Sequence, residues 1–130
     1  MKNRSVLLQL ARDSIQEVFE ANRTIQKSSL LSEYPLLNEK ITTTINIYFE
    51  NKLRGSAASD EPNLSLLEDI ILNAKRCAFQ DANFTPLTTS EYLHSEIEIV
   101  LNTDDGVISE KDPAIIDKEI HLSKVFDSHD

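Results

Sequence analysis

The chain has 130 residues, 40% hydrophobic and 27% charged, with two glycines and no tryptophan. This is globular composition, and a chain of this length buries roughly two thirds of its unfolded surface, enough for one domain spanning residues 1–130. A net charge of -9 with scattered Lys and Arg argues against nucleic acid and against anionic membrane as partners, and a single cysteine excludes an internal disulfide.

The chain opens on Met1-Lys2-Asn3-Arg4 and a short apolar run from Val6 to Ala11, broken by Gln9 and followed at once by Arg12-Asp13. That run is too short for a signal-peptide core, and no stretch approaches membrane-spanning length, so cytoplasm is the expected location. Ser5 is placed to cap a helix reaching about Ala21. Leu7, Leu8, Ala11, Ile15, Val18 and Phe19 form its apolar stripe, with Arg12, Asp13, Gln16, Glu17 and Glu20 expected to face away. Residues 22–40 read as an irregular polar connection. Its apolar patch Tyr34-Pro35-Leu36-Leu37 covers one edge of the core, and Pro35 blocks regular helix there.

From Ile41 the period changes to two. Ile41, Thr43, Ile45, Ile47 and Phe49 alternate with Thr42, Thr44, Asn46 and Tyr48, which predicts a strand with one apolar face. Glu50-Asn51-Lys52 turns the chain, with Asn51 suited to a left-handed conformation, and Leu53–Ala58 returns as the second strand of a hairpin. Alternation then points Leu53 to the core and Arg54 to the opposite, exposed face.

Ser65 with Glu68 is a capping-box pattern that starts a helix near Leu66 and ends it near Asp81. Leu67, Ile70, Ile71, Ala74, Cys77 and Ala78 form its buried stripe, so Cys77 reads as a small apolar core group. Thr88 with Glu91 repeats the box and predicts one helical turn over Thr89–Leu93. Glu96–Leu101 alternates again, with Ile97, Ile99 and Leu101 inward, and Asp104-Asp105-Gly106 is a turn. The tail from Val107 is ambiguous. Asp112-Pro113 fits a helix start, with Ile115, Ile116 and Ile120 on one face, while Ile120-His121-Leu122 also fits a strand. Ser128-His129-Asp130 reads as a frayed end. The fold class is α+β, an antiparallel sheet built around the central hairpin with two main helices packed on it.

Three stretches together resemble the AMMECR domain family, which includes protein A of the AmmeMemoRadiSam system. Leu10-Ala11-Arg12-Asp13-Ser14-Ile15 looks like that family's opening helix. Leu53-Arg54-Gly55 matches the start of a leucine-arginine-glycine-cysteine-isoleucine-glycine signature. Leu66–Ala74, Ala78–Asp81, Phe84–Thr88 and Glu96–Ile99 form the longest match, so the likeness covers about residues 7–103. The resemblance implies an α+β unit with helices flanking an antiparallel sheet. It brings no established activity, and a genomic association with a radical S-adenosylmethionine protein is not a mechanism.

The departures bear on function. The signature cysteine is Ser56 here, and Ala57 and Ala58 replace the isoleucine and the closing glycine. A serine needs a partner base to attack, so an enzymatic role is disfavoured. The glycine-containing strand and C-terminal lysine-alanine-glycine stretch of the family are not found after Val107. The chain therefore reads as a shortened member with a diverged tail, 107–130, expected to lack part of the usual cleft.

Arg54, Gly55 and Ser56 are the candidate ligand-binding residues. A guanidinium forks onto a carboxylate or phosphate, a glycine admits close approach, and a hydroxyl adds a donor. The structural alternative is an arginine paired with a nearby acid such as Glu50 or Asp60, and a glycine at a bulge. Asp60, Glu61, Glu68 and Asp69 crowd one helix start, where capping accounts for Glu68 and Asp69 without a metal. His94, His121 and His129 show no metal-ligand spacing. No metal or cofactor is expected. The favoured reading is a cytosolic binding or accessory protein for a small anionic ligand or a protein partner. The alternative is an enzyme or enzyme subunit working with a radical S-adenosylmethionine or metal-dependent partner. A sheet edge left open would make the protein a homodimer.

Overall fold

The computed structural model describes residues 4–116. Helix α1 (Val6–Glu20) begins where the Ser5 hydroxyl accepts from the Leu8 N–H, and ends where Ala21 turns left-handed. A short helix α2 (Lys27–Glu33) and a 3-10 turn (Pro35–Asn38) then lead into strands β1 (Thr42–Phe49) and β2 (Lys52–Ala58). Helix α3 (Leu66–Phe79), the short helix α4 (Thr89–Leu93) and strands β3 (Ser95–Thr103) and β4 (Gly106–Asp112) follow. All strand pairs are antiparallel, in the order β2-β1-β3-β4. The fold is α+β, as expected, and the hairpin forms with Glu50 and Asn51 alone as its loop. Both residues have left-handed φ, 53° and 66°, which makes the loop a type I′ turn, so Lys52 already belongs to β2.

α1 and α3 cover one face of the sheet. Ile45, Ile47, Ile97, Ile99 and Leu101 point into that layer, against Leu8, Ala11 and Ile15 of α1 and Leu67, Ile70 and Ala74 of α3. The inward-facing residues of β3 are those the alternation marks. Residues 22–40 are more regular than expected. Pro35 opens the 3-10 turn, where its missing N–H leaves no bond unmade, and Leu37 is fully buried while Leu36 is half exposed.

Several side chains lie elsewhere than the sequence suggests. Arg12 and Glu17 do not face away from the core: they are only 2% and 9% exposed, and Val18, expected on the buried stripe, is 44% exposed. Glu17 Oε2 accepts the N–H groups of Thr24 and Ile25, and its Oε1 accepts from Lys75. Burial raises the Glu17 carboxyl, but these bonds outweigh it and hold the group below its usual range. Asp69 does not cap its helix. It is buried, accepting the N–H and hydroxyl of Thr43 and the hydroxyl of Ser59, and so fastens α3 to β1. The Glu68 side chain reaches Lys27, and only the Ser65 half of that capping pattern is formed. Leu53 is 45% exposed, because β1 and β2 slip by one residue at a bulge between Ile47 and Tyr48, leaving Arg54 unpaired. The extra residue inverts the alternation and puts Leu53 opposite Tyr48 on the uncovered face.

Asp112-Pro113 does not start a helix. Asp112 closes β4, and its buried carboxylate takes Arg12 Nε at 2.7 Å and Arg4 Nε at 3.0 Å. Arg12 also donates to the carbonyls of Ser95 and Pro113, and its guanidinium lies 5.2 Å over the Tyr92 ring. Ile115 and Ile116 are partly exposed and not helical. The readings for Ile120–Leu122, His121 and 128–130 fall outside the described residues.

Arg12 is a deeply buried charge, and Asp112 is the acid that pairs with it. Removing one partner of such a pair leaves an uncompensated ion in the core, worth about 3–5 kcal/mol. Asp112→Ala is expected to lower unfolding stability by about that amount in urea titration. A loss below about 1 kcal/mol would show that Arg12 finds other compensation.

Candidate functional site

Residues 54–56 lie on the outer strand β2, and the structure aims their groups in three directions. Arg54 leans toward α4 and the segment before it. Its Nε donates to Glu91 Oε2 at 3.1 Å and its Nη2 to Glu91 Oε1 at 3.0 Å, a two-point carboxylate clamp. Nη2 also makes long bonds of 3.4 Å to the Thr85 hydroxyl and the Pro86 carbonyl, and the guanidinium sits 5.7 Å from the Phe84 ring centre. The side chain is only 12% exposed. Arg54 is thus largely enclosed rather than open on the sheet face, and its acid is Glu91 rather than Glu50 or Asp60.

Gly55 faces the opposite way, onto the end of α3. A Cβ there would overlap the carbonyl group of Cys77. The backbone of Gly55 has no left-handed φ, so the requirement is for close approach alone. Cys77 itself is buried, and burial pushes its thiol far above the usual range, with Asp81 adding to the shift. That thiol is core, as its place on the apolar stripe suggests.

Ser56 presents its hydroxyl to the uncovered sheet face. Oγ donates to Asn46 Oδ1 at 2.7 Å, Asn46 Nδ2 donates to Glu98 Oε1 at 3.0 Å, and the Tyr48 hydroxyl donates to the same oxygen at 3.0 Å. Burial, then Glu98, raises the Tyr48 phenol above its ordinary value, and Lys111 lies 4.8 Å over its ring. The Ser56 backbone N–H points off the sheet edge and donates to Asp81 Oδ2 at 2.9 Å. The three candidate residues therefore share a strand but do not converge on one point, and their strongest donors already hold Glu91 and Asp81.

Local spacing accounts fully for Glu91 and so does not mark it as a partner of Arg54, and nothing local marks Asp81 as a partner of Ser56. Glu91 completes the capping box, accepting the Thr88 N–H and hydroxyl through Oε1. The box fixes the carboxylate, and the fixed carboxylate then meets Arg54 from 37 positions away in the chain. No local signal marks such a pairing. The alternation of β1 does place Asn46 and Tyr48 on one face, and that of β3 places Glu98 on the same side; only the register joins them.

An open groove of 570 Å³ lies elsewhere, past the hairpin end, lined by Tyr48, Glu50, Asn51, His94, Glu96 and Pro113 among others. None of the three candidate residues reaches it. Asp60 and Glu61 are exposed beside a smaller hollow over Asp69 and Arg76. Among the described residues no three His, Cys, Asp or Glu side chains gather as a metal ion requires. No described helix is long and apolar enough to cross a membrane.

The AMMECR1 family model matches residues 8–120, beyond the 7–103 that the motifs suggest and into the tail. The chain belongs to the AMMECR1 family. Protein Ta0236 of Thermoplasma acidophilum is 33% identical over 92 residues, which make up 69% of this chain and 44% of that protein. The uncharacterized protein PH0010 of Pyrococcus horikoshii has a similar crystal structure, with a TM-score of 0.65 at 26% identity over 73% of this chain and 48% of that one. The chain thus spans just under half the length of these AMMECR1-family relatives.

The Arg54–Glu91 clamp has a pH signature. The Arg54 hydrogen bonds chiefly, and the Thr88 bonds after them, hold the Glu91 carboxyl below its ordinary value. A carboxyl lowered on folding contributes stability that is fully present above its unfolded pKa and lost as pH falls through the folded one. The gap in melting temperature between wild type and Glu91→Gln is therefore expected to be largest near neutral pH and to close below about pH 4. In an Arg54→Ala background the pH dependence of that gap should largely vanish. A gap of constant size across the acid range would contradict the clamp.

Proposed function

We propose that this AMMECR1-family protein is a binding or accessory protein, not an enzyme, and that it docks a protein partner on the uncovered sheet face around Ser56. One observation carries the reading: the Ser56 hydroxyl donates its proton to the amide oxygen of Asn46. An amide cannot take that proton, so Ser56 is held as a polar surface group and not as an activated nucleophile. The bonds running from Ser56 through Asn46 to Glu98 and Tyr48 fix four polar side chains in advance. Preorganised groups lose little freedom on binding, which favours recognition.

A small anionic ligand is the weaker form of the same reading. It would have to displace Glu91 from Arg54 or Asp81 from the Ser56 N–H, each a carboxylate of this chain already in place.

Two measurements test this. Carboxylates and phosphates at about 10 mM should leave the melting temperature within about 1 °C of its ligand-free value. Wild-type bait should retain a protein from cell extract that Ser56→Arg bait, with the same melting temperature, does not. Stabilisation by an anion that Arg54→Ala abolishes would overturn the partner reading in favour of the anion, and equal capture by both baits would remove Ser56 from the surface.

A further inference from the structure

The two edges of the sheet differ. On the β2 edge, Asp81 takes the outward N–H of Ser56 and the clamp of Glu91 on Arg54 holds the following segment alongside. The β4 edge has no such cover among the described residues. Thr103 and Gly106 pair across the Asp104-Asp105 turn, the hydrogen-bonded end of a two-residue hairpin. Alternation then directs the backbone groups of Gly106, Ile108, Glu110 and Asp112 toward β3, and those of Val107, Ser109 and Lys111 outward. Among the described residues none of these three makes a backbone bond to another element. Val107 and Ile108 are 69% and 54% exposed. A strand edge uncovered among the described residues, with two neighbouring exposed apolar residues, is a template for another strand.

We propose that this edge pairs with the β4 edge of a second copy, antiparallel about a two-fold axis at Ile108, joining two four-stranded sheets into one. The side chains select this partner and this register. With the axis at Ile108, that residue meets its own copy, Val107 meets Ser109, and Lys111 meets the opposite charge of Asp105. The outward backbone groups of Val107 and Ser109 bond each other in both directions. Moving the axis to Ser109 instead sets Ile108 against Glu110 and Val107 against Lys111, apolar against charged. The interface is narrow and each copy carries a net charge of -9, so the association is weak and concentration-dependent. It uses a different surface from the face around Ser56 and does not depend on that reading.

Sedimentation of the full chain from about 10 µM to about 1 mM tests the proposal. Wild type is expected to move from monomer toward dimer across that range. Ile108→Lys sets two ammonium groups together on the axis, and Ser109→Pro removes an outward N–H without touching the β3 ladder. Both are expected to remain monomeric with wild-type circular dichroism. Should Ser109→Pro misfold, Ile108→Lys decides alone. A wild type that is monomeric throughout, or a dimer that a folded variant leaves intact, overturns the proposal.

Discussion

The last turn of α3 lies directly on β2, with the Cys77 carbonyl against the backbone of Gly55. Only a residue without a side chain permits that approach, and much of the candidate site follows from it. The bulge falls on the preceding residue, so Arg54 swings out of the ladder and toward Glu91. Leu53 moves to the uncovered face, Ser56 stays there opposite Asn46, and Ala57 fits under the helix layer as a small buried group. The cation, the glycine and the hydroxyl that follow one another in sequence form, in three dimensions, the seat of a helix with two hydrogen-bonded side chains beside it.

Elsewhere buried polar groups do the joining. Asp69 and Asn73 reach from α3 to Thr43 in β1 and to Ser59 just past β2, tying helix and hairpin with hydrogen bonds inside the apolar layer. Arg12 does the same from α1 to the start of β3 and the end of β4. Each costs desolvation and each holds several partners, although Arg12 Nη1 and Asn73 Oδ1 are buried without one. These groups also fix which face of each helix meets the sheet, because an unpaired charge in that layer is far worse than a misplaced leucine.

The periodic parts of the fold were legible. Two long helices, the hairpin, the inward face of β3 and the single turn at Thr89–Leu93 follow from apolar spacing and capping residues. The misplaced charges share one cause. Charge alone points Arg12 and Glu17 to solvent and Asp69 to its own helix start, yet their partners lie on other segments of the chain, which local spacing does not reveal. β4 leaves no sequence signal, because a strand with Val107 and Ile108 side by side and Glu110-Lys111-Asp112 after them has no alternation to read. The site was half legible: Arg54, Gly55 and Ser56 are each constrained, but their directions depend on a bulge and on Glu91 and Asp81, which no sequence rule connects to them.

The central claim is that the glycine of the leucine-arginine-glycine stretch serves helix seating rather than ligand approach. Equilibrium unfolding of Gly55→Ala, with Ser56→Ala beside it as reference, tests this most directly. Overlap with a backbone carbonyl cannot be relieved by a rotamer change, so Gly55→Ala is expected to cost about 2–3 kcal/mol or more. Ser56→Ala, which loses one partly exposed hydrogen bond, should cost about 1 kcal/mol. Where an alanine fits, replacing glycine stabilises by about 0.4–1 kcal/mol through the unfolded chain. A Gly55→Ala protein as stable as wild type, or more so, would therefore contradict the account.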